Sequence, residues 1–203
     1  MAERARSLFI VFEGIDGTGK TTQVRLLKEA LERAGESPVV SREPTDGPWG
    51  RMIRESAASG RMSLEEELHA FIEDRKEHVE AVIRPALEAG KIVILDRYFY
   101  STVAYQGARG ADVAEVRARM EALFPIPDVV FILDAEPGVG VHRIAHSRGQ
   151  PDHFEDREYL ERVRAIFWGV TGPEVHHIDA SMPVEAVHAR IMELLPRSAV
   201  KPK

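Results

Sequence analysis

Leu8-Phe9-Ile10-Val11-Phe12-Glu13-Gly14-Ile15-Asp16-Gly17-Thr18-Gly19-Lys20-Thr21 is the stretch on which the fold turns. Leu8 to Phe12 form an unbroken apolar run, the pattern of a strand buried on both faces. Gly14 to Thr21 match the spacing G-x4-G-K-S/T. From Lys20 onward, Val24, Leu27 and Leu31 recur at helical spacing, and Gly35 provides a stop. Strand, glycine-rich loop and helix in this order make a phosphate cradle. Glycines let the loop turn tightly and bring its N–H groups inward. The cradle runs over Gly14, Asp16, Gly17, Thr18, Gly19, Lys20, Thr21 and Thr22. Its donors and the helix N-terminus, with about half a positive charge, surround polyphosphate oxygens. Lys20 adds a point charge at the outer phosphates, and the Thr21 hydroxyl suits Mg2+, a hard cation that prefers oxygen.

Outward from this unit, Pro38–Ser41, Ile92–Leu95, Val129–Leu133 and the weaker His177–Ile178 read as further strands. Helices are expected from Lys20 to about Ala34, Leu64 to Ala89, Val113 to Leu123, Val139 to His146, Arg157 to Trp168 and Val184 to Leu195. Strands alternating with helices predict an α/β fold in three layers, a five-stranded parallel sheet with helices on both faces. Ser63 and Glu66 have capping-box spacing, and Pro85 is expected to bend the long helix before Gly90 ends it. The 203 residues, 44 % hydrophobic and 30 % charged, fit one globular domain over residues 1–203. No apolar run approaches the roughly 20 residues of a membrane span. Glu13 interrupts the first run too early for a secretory signal. The lack of cysteine excludes disulfides, thiolate zinc sites and a cysteine nucleophile, and points to a reducing cytoplasm. A net charge of −6 argues against a dedicated nucleic-acid binder.

A phosphate cradle does not say what happens to the phosphate. Two apolar runs end in a carboxylate, at Asp96 and Asp134, and either could reach a bound nucleotide at the carboxyl edge of the sheet. Asp96 is favoured because Arg97 follows, pairing a metal-side carboxylate with an anion-binding guanidinium; Asp134 reads as a strand-end turn residue. Arg75 interrupts the apolar stripe Leu68, Ile72, Val79, Val82, Ala86 of the long helix. With Phe71 one turn earlier it could hold a flat base by stacking and edge hydrogen bonds; the alternative is an ion pair inside the protein. Arg97, Ser101 and Tyr105 would share one helical face, either as a site or as a polar helix start. Residues 142–155 read as a mobile flap whose Arg148 could stabilise a transferring phosphoryl group, or as a solvated charged loop.

Taken together these motifs resemble the thymidylate kinase family of P-loop nucleoside monophosphate kinases. The resemblance spans Phe9 to Leu195 and rests on Phe12 through Gln23, Arg42-Glu43-Pro44, Gly50, Ile53-Arg54, Phe71 with Arg75, Val82 through Leu87, Asp96-Arg97-Tyr98, Ser101 and Ala104-Tyr105-Gln106-Gly107. It implies a P-loop NTPase fold with a small lid, and transfer of the ATP γ-phosphoryl group to dTMP with Mg2+. On the same basis Lys20, Thr21 and the loop amides hold ATP, and Thr21 with Asp96 serves the metal. Arg97 and Arg54 hold the acceptor phosphate, Phe71 stacks on thymine, Arg75 bonds its edge and Ser101 reaches the base. Tyr105 lies under the sugar and Asp16 near its 3′-hydroxyl; Arg143 stacks near adenine, and Arg148 joins Lys20, Asp96 and Arg97 in catalysis. The family also implies a homodimer. Two features depart from its pattern: Gly17 stands where some relatives carry arginine, and Thr45-Asp46-Gly47-Pro48-Trp49-Gly50 replaces a Gly-Gly-Thr loop. Kinases of other mononucleotides or nucleosides share much of this set. A GTPase switch would need an Asn-Lys-x-Asp motif, which the sequence lacks.

Overall fold

The computed structural model describes residues 7–136 and 157–196. Five parallel strands lie in the order β2-β3-β1-β4-β5. They are β1 (Leu8–Glu13), β2 (Val39–Arg42), β3 (Ile92–Asp96), β4 (Val129–Asp134) and β5 (Val175–Asp179). The central strands β1, β3 and β4 are buried almost throughout, as their apolar runs require, whereas the edge strands β2 and β5 are only partly buried. An edge strand tolerates polar residues, which is why His176 and His177 can sit in β5.

Side chains alternate across the sheet and build two cores. Phe9 and Val11 of β1, with Val93, Leu95, Val130 and Ile132, pack under α3 (Leu64–His78), α5 (Phe99–Ala108), α6 (Val113–Leu123) and α7 (Arg157–Trp168). Leu8, Ile10 and Phe12, with Ile94 and Phe131, pack against Val24, Leu27 and Leu31 of α1 (Lys20–Arg33) and Val187 and Ile191 of α8 (Val184–Leu194). The three-layer arrangement expected from the alternation of strands and helices is therefore present.

The long helix is three segments in succession. α3 begins at the expected capping box, with the Glu66 N–H donating to Ser63 Oγ (3.2 Å) and the Ser63 N–H to the Glu66 carboxylate (3.0 Å). A π-helical turn, Val79–Ile83, then leads into α4 (Arg84–Glu88). Pro85, at which a bend was expected, stands in the first turn of α4, directly after this π-helical turn.

Two helices lie outside the bounded set expected above, the second of them anticipated only as a helical face through Arg97, Ser101 and Tyr105. α2 (Pro48–Ser59) starts on Pro48-Trp49-Gly50, which reads locally as a turn, yet proline at the first position suits a helix start. Gly50 lies so close to the preceding loop that a Cβ there would stand 1.9 Å from the Thr45 carbonyl oxygen. α5 is apolar nearly all round, with Phe99, Tyr100, Thr102, Val103, Ala104 and Gln106 buried. It offers no amphipathic period to read. The expected helix at Val139–His146 lies outside the described residues.

Candidate active site

The chain runs from β1 out to β2, returns through β3, then crosses to β4 and β5 on the other side. Strand order reverses at β1, and ligands of open α/β sheets bind at the carboxyl ends beside such a reversal. The glycine loop leaves β1 at that point. Gly14 holds φ 129°, and a Cβ on it would stand 2.3 Å from the Leu133 carbonyl oxygen of β4. Only glycine lets the loop pass there. Gly19 precedes α1 in the left-handed region and no side chain caps the helix, so the first-turn N–H groups are left for an anion.

Lys20 folds back over the loop and donates to the carbonyls of Gly14 (3.0 Å) and Ile15 (2.8 Å). Burial pushes its ammonium pKa down to about 8, further favoured by the neighbouring Arg97 charge and opposed by Asp16, Asp96 and Glu13. The Thr21 hydroxyl donates to Asp96 Oδ2 at 2.5 Å. A hydroxyl and one carboxylate are hard oxygen donors of the kind Mg2+ accepts when waters and phosphate oxygens supply its other ligands. Asp134, the alternative carboxylate, is instead clamped by Arg164 in a bidentate pair at 2.6 and 2.7 Å.

Arg97 sits at the centre of the site. Its φ of 71° is the one positive value at a non-glycine position among the described residues, a conformation costing about 1–2 kcal/mol. Its N–H donates to the Phe12 carbonyl (2.9 Å). The guanidinium donates to Gly14 O (3.2 Å), Ser101 Oγ (2.9 Å), Asp16 Oδ1 (2.5 Å) and the Tyr105 hydroxyl (3.3 Å), and lies 5.2 Å from the Tyr105 ring centre. Burial opposes its charge, but Asp16, Tyr105, Asp96 and Glu13 outweigh that and keep it protonated. Arg97, Ser101 and Tyr105 do come together. However, Arg97 precedes α5 instead of riding on it, and only its side chain reaches the helical face.

A family model described as thymidylate kinase matches residues 12–191. The chain belongs to the thymidylate kinase family. It is 50 % identical over 192 residues to a thymidylate kinase of Xanthomonas oryzae, covering 93 % of this chain and 84 % of that one. It is 48 % identical over 186 residues to one of Akkermansia muciniphila, covering 92 % and 90 %. The crystal structure of thymidylate kinase from Ehrlichia chaffeensis superposes with a TM-score of 0.75 at 32 % identity, covering 94 % of this chain and 99 % of that one.

Among the described residues, the remaining site residues expected of a thymidylate kinase lie on α2 and α3. Arg54 donates to the Pro44 carbonyl (3.0 Å) and to Asp46 Oδ1 (3.2 Å), within the loop that departs from the family pattern. Arg42 binds both oxygens of the same carboxylate (3.0 and 3.2 Å). Phe71 is half-buried. Arg75, 1 % exposed, makes the internal ion pair that was one of its two readings: Nε and Nη2 lie 2.8 and 2.7 Å from Glu43 Oε2, and Nη2 donates to Thr102 Oγ1 (3.0 Å). Its guanidinium is sandwiched 5.2 Å from the Tyr98 ring and 5.3 Å from that of Phe124. Glu43 Oε1 also meets His78 Nδ1 at 3.0 Å, so the buried cation is locked from several sides. Arg143, Arg148 and the lid expected over 142–155 lie outside the described residues.

Two residues with no role assigned from sequence belong to this architecture. Glu43 balances Arg75, a partner 32 residues distant that only folding brings near. Glu13 is fully buried, and burial pushes its carboxyl up to about 7, opposed by hydrogen bonds from Ser101 and Tyr98 and the Arg97 charge. The readable signal for Glu13 was a carboxylate ending a wholly apolar strand.

Proposed function

We propose that this chain transfers the γ-phosphoryl group of ATP to the phosphate of dTMP, giving ADP and dTDP. The observation that carries the reading is a convergence of cations: Lys20 Nζ and Arg97 Nη1 donate to one carbonyl oxygen, that of Gly14, at 3.0 and 3.2 Å. A lysine of the donor's phosphate loop and a guanidinium from the next strand thus face a single junction. This is what joining two anionic phosphates requires. The attacking phosphate oxygen is already an anion, so no protein base is needed. Positioning and charge neutralisation carry the rate.

In this reading the loop amides, Lys20 and Thr21 bind ATP, while Arg97 and Arg54 bind the dTMP phosphate. Thr21 and Asp96 would hold Mg2+, which neutralises phosphate charge when bound. Past the carboxyl ends of β4 and β5, Asp134, Ala135, Arg164, Trp168, Asp179 and Ser181 line an open cleft of about 700 Å3. Phe71 forms the platform for thymine. For Arg75 to bond its edge, Nη1, which here faces Met120 Sδ at 3.4 Å, has to turn to the base while Glu43 and Thr102 hold the rest of the guanidinium. Tyr105 lies under the sugar and Asp16 near its 3′-hydroxyl. The family resemblance supports a homodimer, and the cysteine-free sequence supports a reducing cytoplasm. No helix among the described residues is long and apolar enough to cross a membrane.

The test is ADP release with ATP and Mg2+ against dTMP, dUMP, UMP, AMP and thymidine. Turnover is expected to be fastest with dTMP. Preference for another acceptor would refute the assignment of Phe71, Arg75 and Tyr105.

A further inference from the structure

Arg97 is useful only if its guanidinium stands at the phosphate junction, yet its backbone occupies a region that non-glycine residues avoid. Something must hold that turn. The local sequence does not: Tyr98, at the N-cap of α5, makes no side-chain cap. The missing cap comes from another strand. The side chain of Glu13 follows the alternation of Phe9 and Val11 onto the α5 side of the sheet. There its Oε1 accepts the N–H groups of Tyr98 (2.9 Å) and Ser101 (3.1 Å), and its Oε2 accepts the Ser101 hydroxyl (2.5 Å). The Ser101 oxygen in turn accepts Arg97 Nη1 (2.9 Å). A buried carboxylate at a helix N-terminus is stabilised by those N–H groups and by the dipole.

We propose that Glu13 is a positioning residue for Arg97. From β1 it caps α5 across the sheet, holds the turn on which Arg97 stands, and orients the guanidinium through the Ser101 hydroxyl. The carboxylate touches neither nucleotide; it acts on the acceptor phosphate through Arg97. This rests on the reading of Arg97 as a phosphate-binding catalytic group.

The experiment is a double-mutant cycle with Glu13→Gln, Arg97→Ala and the pair, in the purified full chain, with dTMP and ATP varied separately. Glutamine keeps the shape and one acceptor oxygen but turns the other into a donor facing Ser101, breaking the relay to Arg97. Glu13→Gln is expected to lower kcat/KM for dTMP on the order of tenfold, the scale of a small misplacement. The KM for ATP should stay within about twofold. In the Arg97→Ala background the same change should cost less than about twofold, because residues acting as one unit are not additive. Equal cost in both backgrounds, or a rise in ATP KM of the same size, would overturn the proposal and leave Glu13 as a mere support of the loop. If Arg97→Ala itself turned over normally, the reading of Arg97 would fall and the proposal with it. Ser101→Ala repeats the cycle should Glu13→Gln fold poorly; because Ser101 is also expected to reach the base, only a cost that disappears in the Arg97→Ala background supports the relay, and an equal cost in both overturns it.

Discussion

Glu13→Gln also makes a prediction about stability that is independent of the assigned reaction. Burial raises the Glu13 carboxyl from its ordinary 4.5 to about 7 in the folded protein. Each pH unit between the folded and unfolded values corresponds to about 1.4 kcal/mol. The ionised side chain therefore costs the fold roughly 3 kcal/mol. Below 4.5 both states are protonated and the cost is absent. As pH rises towards 7 the unfolded chain releases its proton while the native state keeps it, so stability falls. Above 7 the whole cost is present. Glutamine does not titrate. The stability of the variant relative to wild type should therefore climb by roughly 3 kcal/mol between about pH 4.5 and about pH 8. Urea unfolding at several pH values, followed by the fluorescence of Trp49 and Trp168, measures this difference, and the other titrating groups cancel in it. A wild-type-to-variant gap that stays constant across that range would refute the argument. With the activity cycle, the result would show a carboxylate that weakens the fold at neutral pH while serving the site, a trade that functional positions commonly make.

Lys20 supplies a second pH signature: its ammonium pKa is lowered to about 8, and only the charged form attracts a polyphosphate. Binding of a non-hydrolysable ATP analogue by calorimetry should weaken about tenfold from about pH 7 to about pH 9, whereas a flat profile would mean that Lys20 keeps its proton throughout. At Tyr105 the ring lies over Arg97 while the hydroxyl contact is long, at 3.3 Å, so Tyr105→Phe should keep kcat within about threefold, and a steady-state collapse would assign the hydroxyl a direct role.

How much of the site was legible depended on how local its physics is. The cradle is local: glycines at fixed offsets, then lysine and threonine, between an apolar strand and a helix, lie within a dozen residues. The capping box of α3 is local too, and it is present where the spacing placed it. α5 was legible only through its polar residues, because burial on all sides erased its period. α2 was hidden behind Pro48 and Gly50, which signal a turn until the loop at Thr45 shows why a side chain cannot fit. Arg75 stood out as a charge on an apolar stripe, but the stripe could not say whether its partner was a ligand or a residue. Glu43, brought alongside from the end of β2, answers that for the protein as it stands.

By itself, the sequence determined the layered α/β architecture and the phosphate loop, because alternation and glycine spacing act over a few neighbouring residues. Only the tertiary structure decided which charges meet. Phe12 lies beside Asp96 in the sheet register, and this puts Glu13, Arg97 and the cradle on one edge although about eighty residues separate them along the chain. Coulombic and hydrogen-bond partnerships depend on distance in space, and that distance is set by strand order, which no local pattern encodes.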